Sequence, residues 1–215
     1  MTRHIFMQEL RELNQHVIRM GSLLEQSMND VIVALERLDA DLANQIIKRD
    51  DAIDELEHQI EKECIAIIAK QQPLASDLRK VTSIMKIVTD IERIADHCAD
   101  ISEYIILLSQ QSDGVAPKNL KEMVNTMKGM VIETIDSFVE VDLEKANQVI
   151  AKDDIVDNYF ASISDELTQI MLEKKEAIPA SVSYLMIIKY LERMADHATN
   201  IAEWIEYIIT GKMIE

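Results

Sequence analysis

Residues Glu192-Arg193-Met194-Ala195-Asp196-His197-Ala198-Thr199-Asn200-Ile201-Ala202-Glu203 decide the reading of this chain, because they occur twice. One hundred residues earlier stands Glu92-Arg93-Ile94-Ala95-Asp96-His97-Cys98-Ala99-Asp100-Ile101-Ser102-Glu103, identical at seven of the twelve positions. A repeat of this length indicates a duplicated structural unit. Each copy carries Glu-x-x-x-Asp in a helix-forming context, so its two carboxylates leave the same helix face. Like charges at that spacing repel by roughly 0.2–0.5 kcal/mol, which directs attention to whatever neutralises them.

Working outward, the composition is helical. In 215 residues there are four Gly and three Pro, and good helix formers dominate. From about Arg3 to Leu38, the apolar residues Leu10, Leu13, Val17, Met20, Leu24, Met28, Val31, Leu35 and Leu38 step by three and four, the mark of a one-sided helix. Asp39 restarts the pattern for a second helix over about Leu42–Lys70, which Pro73 stops. A third helix begins near Ala75-Ser76-Asp77, with Ser76 or Asp77 as cap, and runs to Leu108. The stretch from Ser109 to Pro117 reads as a linker.

The second half replays this order. Leu120, Met123, Met127, Ile135 and Phe138 mark a fourth helix, and Val141-Asp142-Leu143-Glu144 answers Leu38-Asp39-Ala40-Asp41 at an offset of 103. A fifth helix follows, which Pro179 is expected to end, and a sixth runs to about Ile209, with Gly211 as its left-handed cap. The expectation is an all-α fold of two tandem three-helix bundles related by pseudo-symmetry: residues 1–110, a linker over 111–118, and residues 119–215.

The net charge of −17 disfavours nucleic acid and an anionic membrane surface as partners. Cys64 and Cys98 form no C-x-x-C pair and have no cysteine counterparts in the other repeat. They read as small buried apolar residues of a cytoplasmic protein. No charged-then-apolar leader pattern is read within Met1–Met20, and no apolar run approaches the ~18 residues of a membrane span. The twelve Met read as adaptable core filler.

The third-helix seam is Ile91, Ala95, Cys98 and Ser102. Glu92, Asp96 and Glu103 lie ~100° round from it, at the rim, and Asp100 extends that face by a turn. On the second helix Ile53, Leu56 and Ile60 face inward, with Asp54, Glu57 and Glu61 one step round and Asp50 a turn earlier. Antiparallel packing would bring these stripes together, and clustered carboxylates must be protonated or neutralised. A hard cation such as Mg, Mn, Ca or Fe suits an oxygen site, with Zn possible. The second unit offers Glu192, Asp196, Asn200, Asp153 and Asp157, but has Phe160 and Ser164 where the first has Glu57 and Glu61. Its site should hold metal more weakly. The plainer alternative is a pair of hydrated acidic faces paired with Lys or Arg. Beside the Asp of each motif, His97 and His197 read as rim histidines bonded to a neighbouring helix in preference to groups supporting the metal ligands. Arg93 and Arg193 are expected to pair with carboxylates across the bundle, and Trp204 to be a core or interface residue.

The motif from Leu191 to Glu203, the turn Pro73-Leu74-Ala75-Ser76-Asp77-Leu78-Arg79 and the duplicated triplet resemble the PhoU family over nearly the whole chain. The resemblance implies paired three-helix bundles, often dimeric, with multinuclear iron or zinc clusters on the motif carboxylates. These map to Glu92, Asp96, Glu192 and Asp196; the second-helix acids are added from spacing. It further implies restraint of phosphate uptake and of the phosphate-starvation response. That would act through the ATPase subunit of the phosphate ABC transporter and a PhoR-type sensor kinase, so that membrane contact comes only through partners. Asp77-Leu78-Arg79 has no equivalent in the second repeat, which reads Ser181-Val182-Ser183.

Two rivals stand beside this. A di-iron enzyme needs paired Glu-x-x-His motifs. Glu55-Leu56-Glu57-His58 supplies one, but Asn158-Tyr159-Phe160-Ala161 lacks both ligands, and no nucleophile–base pair or phosphate loop is present. The expectation is therefore not an enzyme. The other rival is an acidic helical scaffold without functional metal.

Overall fold

The structure, a computed structural model, describes residues 2–111 and 115–212. Part of the expected linker, residues 112–114, lies outside the described residues, as do residues 213–215. The chain is all-helical. In order come α1 (Thr2–Arg37), α2 (Ala40–Arg49), α3 (Asp51–Gln71), α4 (Ser76–Ser109), α5 (Leu120–Glu140), α6 (Leu143–Ile150), α7 (Asp153–Glu173) and α8 (Ile178–Thr210). A 3₁₀ turn, Lys175–Ala177, precedes α8.

The duplication is visible in local detail. Leu38 (φ 49°) and Val141 (φ 56°) both enter the left-handed region, and the next residue caps the following helix. Asp39 accepts from the Leu42 amide at 3.0 Å, and Asp142 from the Glu144 and Lys145 amides at 2.9 and 3.2 Å. Each cap satisfies amides that the first turn leaves without partners. Arg49 reaches Asp30 at 2.6 Å, and the residues 103 further on, Lys152 and Glu133, pair at 2.7 Å.

The expected second and fifth helices are not continuous. The first is interrupted at Asp50 and the second at Ala151-Lys152. Around Asp50 the backbone stays helical (φ −56°, ψ −43°), while the Ile53 amide shortens its bond to the Asp50 carbonyl at 2.8 Å. Adjacent acids explain the location: Asp50, Asp51 and Asp54 repel within a helix body but are favoured at a helix N-terminus. Two further boundaries differ from expectation. The position before α4 is held by Ala75 (φ 45°) without a side-chain cap, so neither Ser76 nor Asp77 serves as one. Pro179 opens α8 instead of ending α7, at a place where its missing N–H leaves nothing unpaired.

Helices α4 and α8 form the centre. α4 packs on α1, α2 and α3, α8 on α5, α6 and α7, and the two make the most extensive contact in the molecule with each other. Their sequences explain this, because each is buried on two sides. α4 carries the expected seam and a second row, Ile87, Ile94, Ile101 and Leu108, spaced by seven. The same row recurs in α8 as Ile187, Met194 and Ile201. A helix apolar on both sides belongs in the interior. One continuous core therefore runs through both units. Cys64 and Cys98 are buried within it as free thiols, and Met20, Met28, Met123, Met127, Met130 and Met194 are core residues. Among the described residues no helix is long and apolar enough to cross a membrane.

Candidate metal centre

The break after α2 sets Asp50 at the mouth of α3, with Asp54 one turn along it. Both meet Asp96, which projects from the middle of α4. Each of the three offers an oxygen within 4.8 Å of the others, a spacing that could hold a metal ion. Among the described residues no other group of three His, Cys, Asp or Glu side chains reaches that spacing. Glu92 and Glu57 flank the trio. Glu57 lies deeper than the expected rim position: it is buried and accepts from Thr89 Oγ1 at 3.2 Å.

The local electrostatics are those of carboxylates short of positive charge. Partial burial, then the charges of Asp96, Asp54 and Asp51, push Asp50 up to about 7. Burial and Asp96 raise Glu92 to about 7 despite the opposing pull of Arg93. Burial and Asp96 also raise Asp54. Asp54 Oδ1 and Glu92 Oε2 are buried without a hydrogen bond from the protein. Such oxygens call for a proton or a cation, since an unsatisfied buried acceptor costs about 1–3 kcal/mol. Arg93 supplies part of the balance from the exposed side, 2.9 Å from Asp96 and 3.4 Å from Glu92. The expected pairing of Arg93 across the bundle is therefore wrong, because its partners lie on its own helix, within one turn.

The second unit gathers the same acids less tightly. Asp153 is half-buried and raised by burial and by Asp196; Glu192 is raised by burial, Asp196 and Asp157. Asp157 and Asp196 are exposed. Thr199 Oγ1 occupies Asp153 Oδ1 at 3.3 Å. Phe160, at the place of Glu57, packs against the core. Asn200 is exposed. Asp100 turns from the trio to His97 Nδ1 at 3.1 Å, whereas His197 reaches Asp90 on α4 at 2.8 Å, the inter-helix bond expected of a rim histidine. Glu55 and His58 of the possible di-iron motif are both exposed, and His58 Nδ1 bonds to the Asp54 backbone. Thr89 and Thr199 are the neighbours that sequence reasoning missed; an isolated Thr on a helix carries no signal that would have found them.

These features define a tandem-repeat helical protein whose first unit presents a carboxylate trio suited to a cation. Comparison with known proteins narrows the class. The PhoU domain matches twice, at residues 17–105 and 120–205. A phosphate-specific transport system accessory protein PhoU homolog of Clostridium acetobutylicum is 41% identical, covering 100% of this chain and 99% of that protein. The crystal structure of PhoU from Pseudomonas aeruginosa superposes with a TM-score of 0.94 at 35% identity, covering 96% of this chain and 100% of that one. The phosphate transport system regulatory protein PhoU of Streptococcus pneumoniae gives 0.91 at 33% identity, covering 98% and 99%. The chain belongs to the PhoU family.

Proposed function

We propose that this protein is a cytoplasmic, non-enzymatic regulator that restrains high-affinity phosphate uptake and the phosphate-starvation response. It acts as a homodimer, through contacts with the ATPase subunit of the phosphate ABC transporter and with a PhoR-type sensor kinase. The observation that carries this reading is full-length similarity, at 41% identity, to a protein named as an accessory of phosphate-specific transport. The net charge of −17 is consistent with protein partners in preference to nucleic acid. Deleting the gene tests it: phosphate-starvation genes should then be expressed in abundant phosphate. Continued repression in the deletion strain would contradict it.

Within that role, Asp50, Asp54 and Asp96 hold a metal, with Glu92 and Glu57 completing the site. Iron or zinc is the favoured occupant, and Mg, Mn or Ca are alternatives for an all-oxygen site. Glu192, Asp196, Asp153 and Asp157 form a weaker counterpart. The spacing of the trio and the unpartnered Asp54 oxygen support this. The rival is a scaffold whose acids only solubilise. Removing Glu92 and Asp96 together separates them: a variant that still binds partners and represses fully would favour the scaffold.

A further inference from the structure

We propose that His97 and His197 form a second, nitrogen-donor site where α4 packs against α8, taking a borderline divalent cation of the Zn, Cu or Ni class. The two residues occupy the same place in the two repeats, and their ring centroids lie 5.6 Å apart with planes tilted by 37°. An ion bonded at ~2.0–2.1 Å to one nitrogen of each of two imidazoles, in tetrahedral geometry, sets the ring centroids roughly 5–6 Å apart.

The nitrogens are prepared for this. His197 Nδ1 lies 2.8 Å from Asp90 Oδ1, and His97 Nδ1 lies 3.1 Å from Asp100 Oδ2. A carboxylate beside Nδ1 holds the ring proton there and leaves the lone pair on Nε2, the arrangement that orients histidine ligands in metal proteins. His97 is 7% exposed, and its Nε2 is buried with no hydrogen-bond partner in the protein. Tyr190, whose ring centroid is 5.2 Å from that of His97, closes one side. Imidazole nitrogen favours Zn, Cu and Ni over Mg, Mn and Ca, so Cu and Ni are the ions that separate this pair from the oxygen trio.

Cupric ion is the probe, read by electron paramagnetic resonance on the full-length, metal-stripped protein. The chain has five histidines, so a background carrying His4→Gln, His16→Gln and His58→Gln retains only the pair. One equivalent of Cu²⁺ should show coupling to two imidazole nitrogens there, unchanged by adding Asp50→Asn. Adding His97→Gln or His197→Gln should leave one coupled nitrogen at most and weaken binding at least tenfold. Because His97 is buried in the packed α4–α8 contact, the more exposed His197 variant decides the matter, with helical content by circular dichroism as control. Absence of the two-nitrogen pattern in the background would overturn the proposal, as would unchanged affinity in the folded His197→Gln variant. Neither outcome bears on phosphate regulation, which the deletion strain tests separately.

Discussion

Asp50, at the break between α2 and α3, and Asp96, in the middle of α4, each place a carboxylate oxygen within 4.8 Å of the other. Two helices thus converge acid on acid, and the fold tolerates it because α3 begins there. The amide end of α3 carries partial positive charge, worth typically 0.3–1 kcal/mol to a nearby anion. That is small beside the cost of crowding carboxylates away from water, so the metal-free site keeps its protons to unusually high pH.

A pH dependence of stability follows. In the unfolded chain these acids titrate near pH 4, whereas in the folded protein Asp50 and Glu92 titrate at about 7. Between those values the folded state holds more protons than the unfolded state, and stability falls as pH rises. Below the window both states are protonated, and above it the loss is complete. Urea midpoints of the metal-stripped protein should decline from pH 5 to pH 8, and Asp50→Asn or Glu92→Gln should each flatten the decline. Equal slopes in the variants would place the effect elsewhere.

Val141 provides a test of backbone strain. It is a β-branched residue at φ 56°, exposed, just before the Asp142 cap. Such conformations cost about 1–3 kcal/mol, more than the ~0.5–1 kcal/mol that glycine's freedom costs. Val141→Gly should raise stability by about 1 kcal/mol, measured by urea unfolding. A clear loss would show that the side chain contributes packing that outweighs the strain.

The central helices should be intolerant of truncation. Ile94 is fully buried in the second row of α4. Ile94→Ala should destabilise by about 2–5 kcal/mol, through lost burial and the cavity left behind. Loss of less than 1 kcal/mol would mean that α4 and α8 can close the gap.

Much of this was legible in the residues. Three-and-four spacing found the helices, and the offsets of 100 and 103 found the duplication. The breaks at Asp50 and Ala151-Lys152 were missed, because apolar spacing continues through both; the adjacent acids Asp50-Asp51 and Asp153-Asp154 were the available signal, of the kind already used at Asp39. The shared core was under-read for a related reason. Beside the seam of Ile91, Ala95 and Cys98, the second row at Ile87, Ile94, Ile101 and Leu108 is spaced by seven and so merges into the same apolar stripe in the sequence. The depth of Glu57 and the Thr199 bond to Asp153 depend on how neighbouring helices rotate, which periodicity does not encode.

The two repeats should differ as cation sites. Thr199 already donates to Asp153, and Phe160 stands where Glu57 adds charge in the first unit. Asp153→Asn should therefore reduce Mn²⁺ affinity less than Asp50→Asn does, by calorimetric titration of each variant. Equal losses would mean that the repeats bind alike.

The most direct test of the carboxylate centre is calorimetric titration of Mn²⁺ into the metal-stripped protein and its Asp96→Asn variant at pH 7, with helical content checked in both. Tight binding by the parent, weakened at least tenfold by Asp96→Asn in a protein that remains folded, is the predicted result. Equal affinity in the two proteins, or no binding by the parent, would contradict the assignment of Asp50, Asp54 and Asp96 as a metal site.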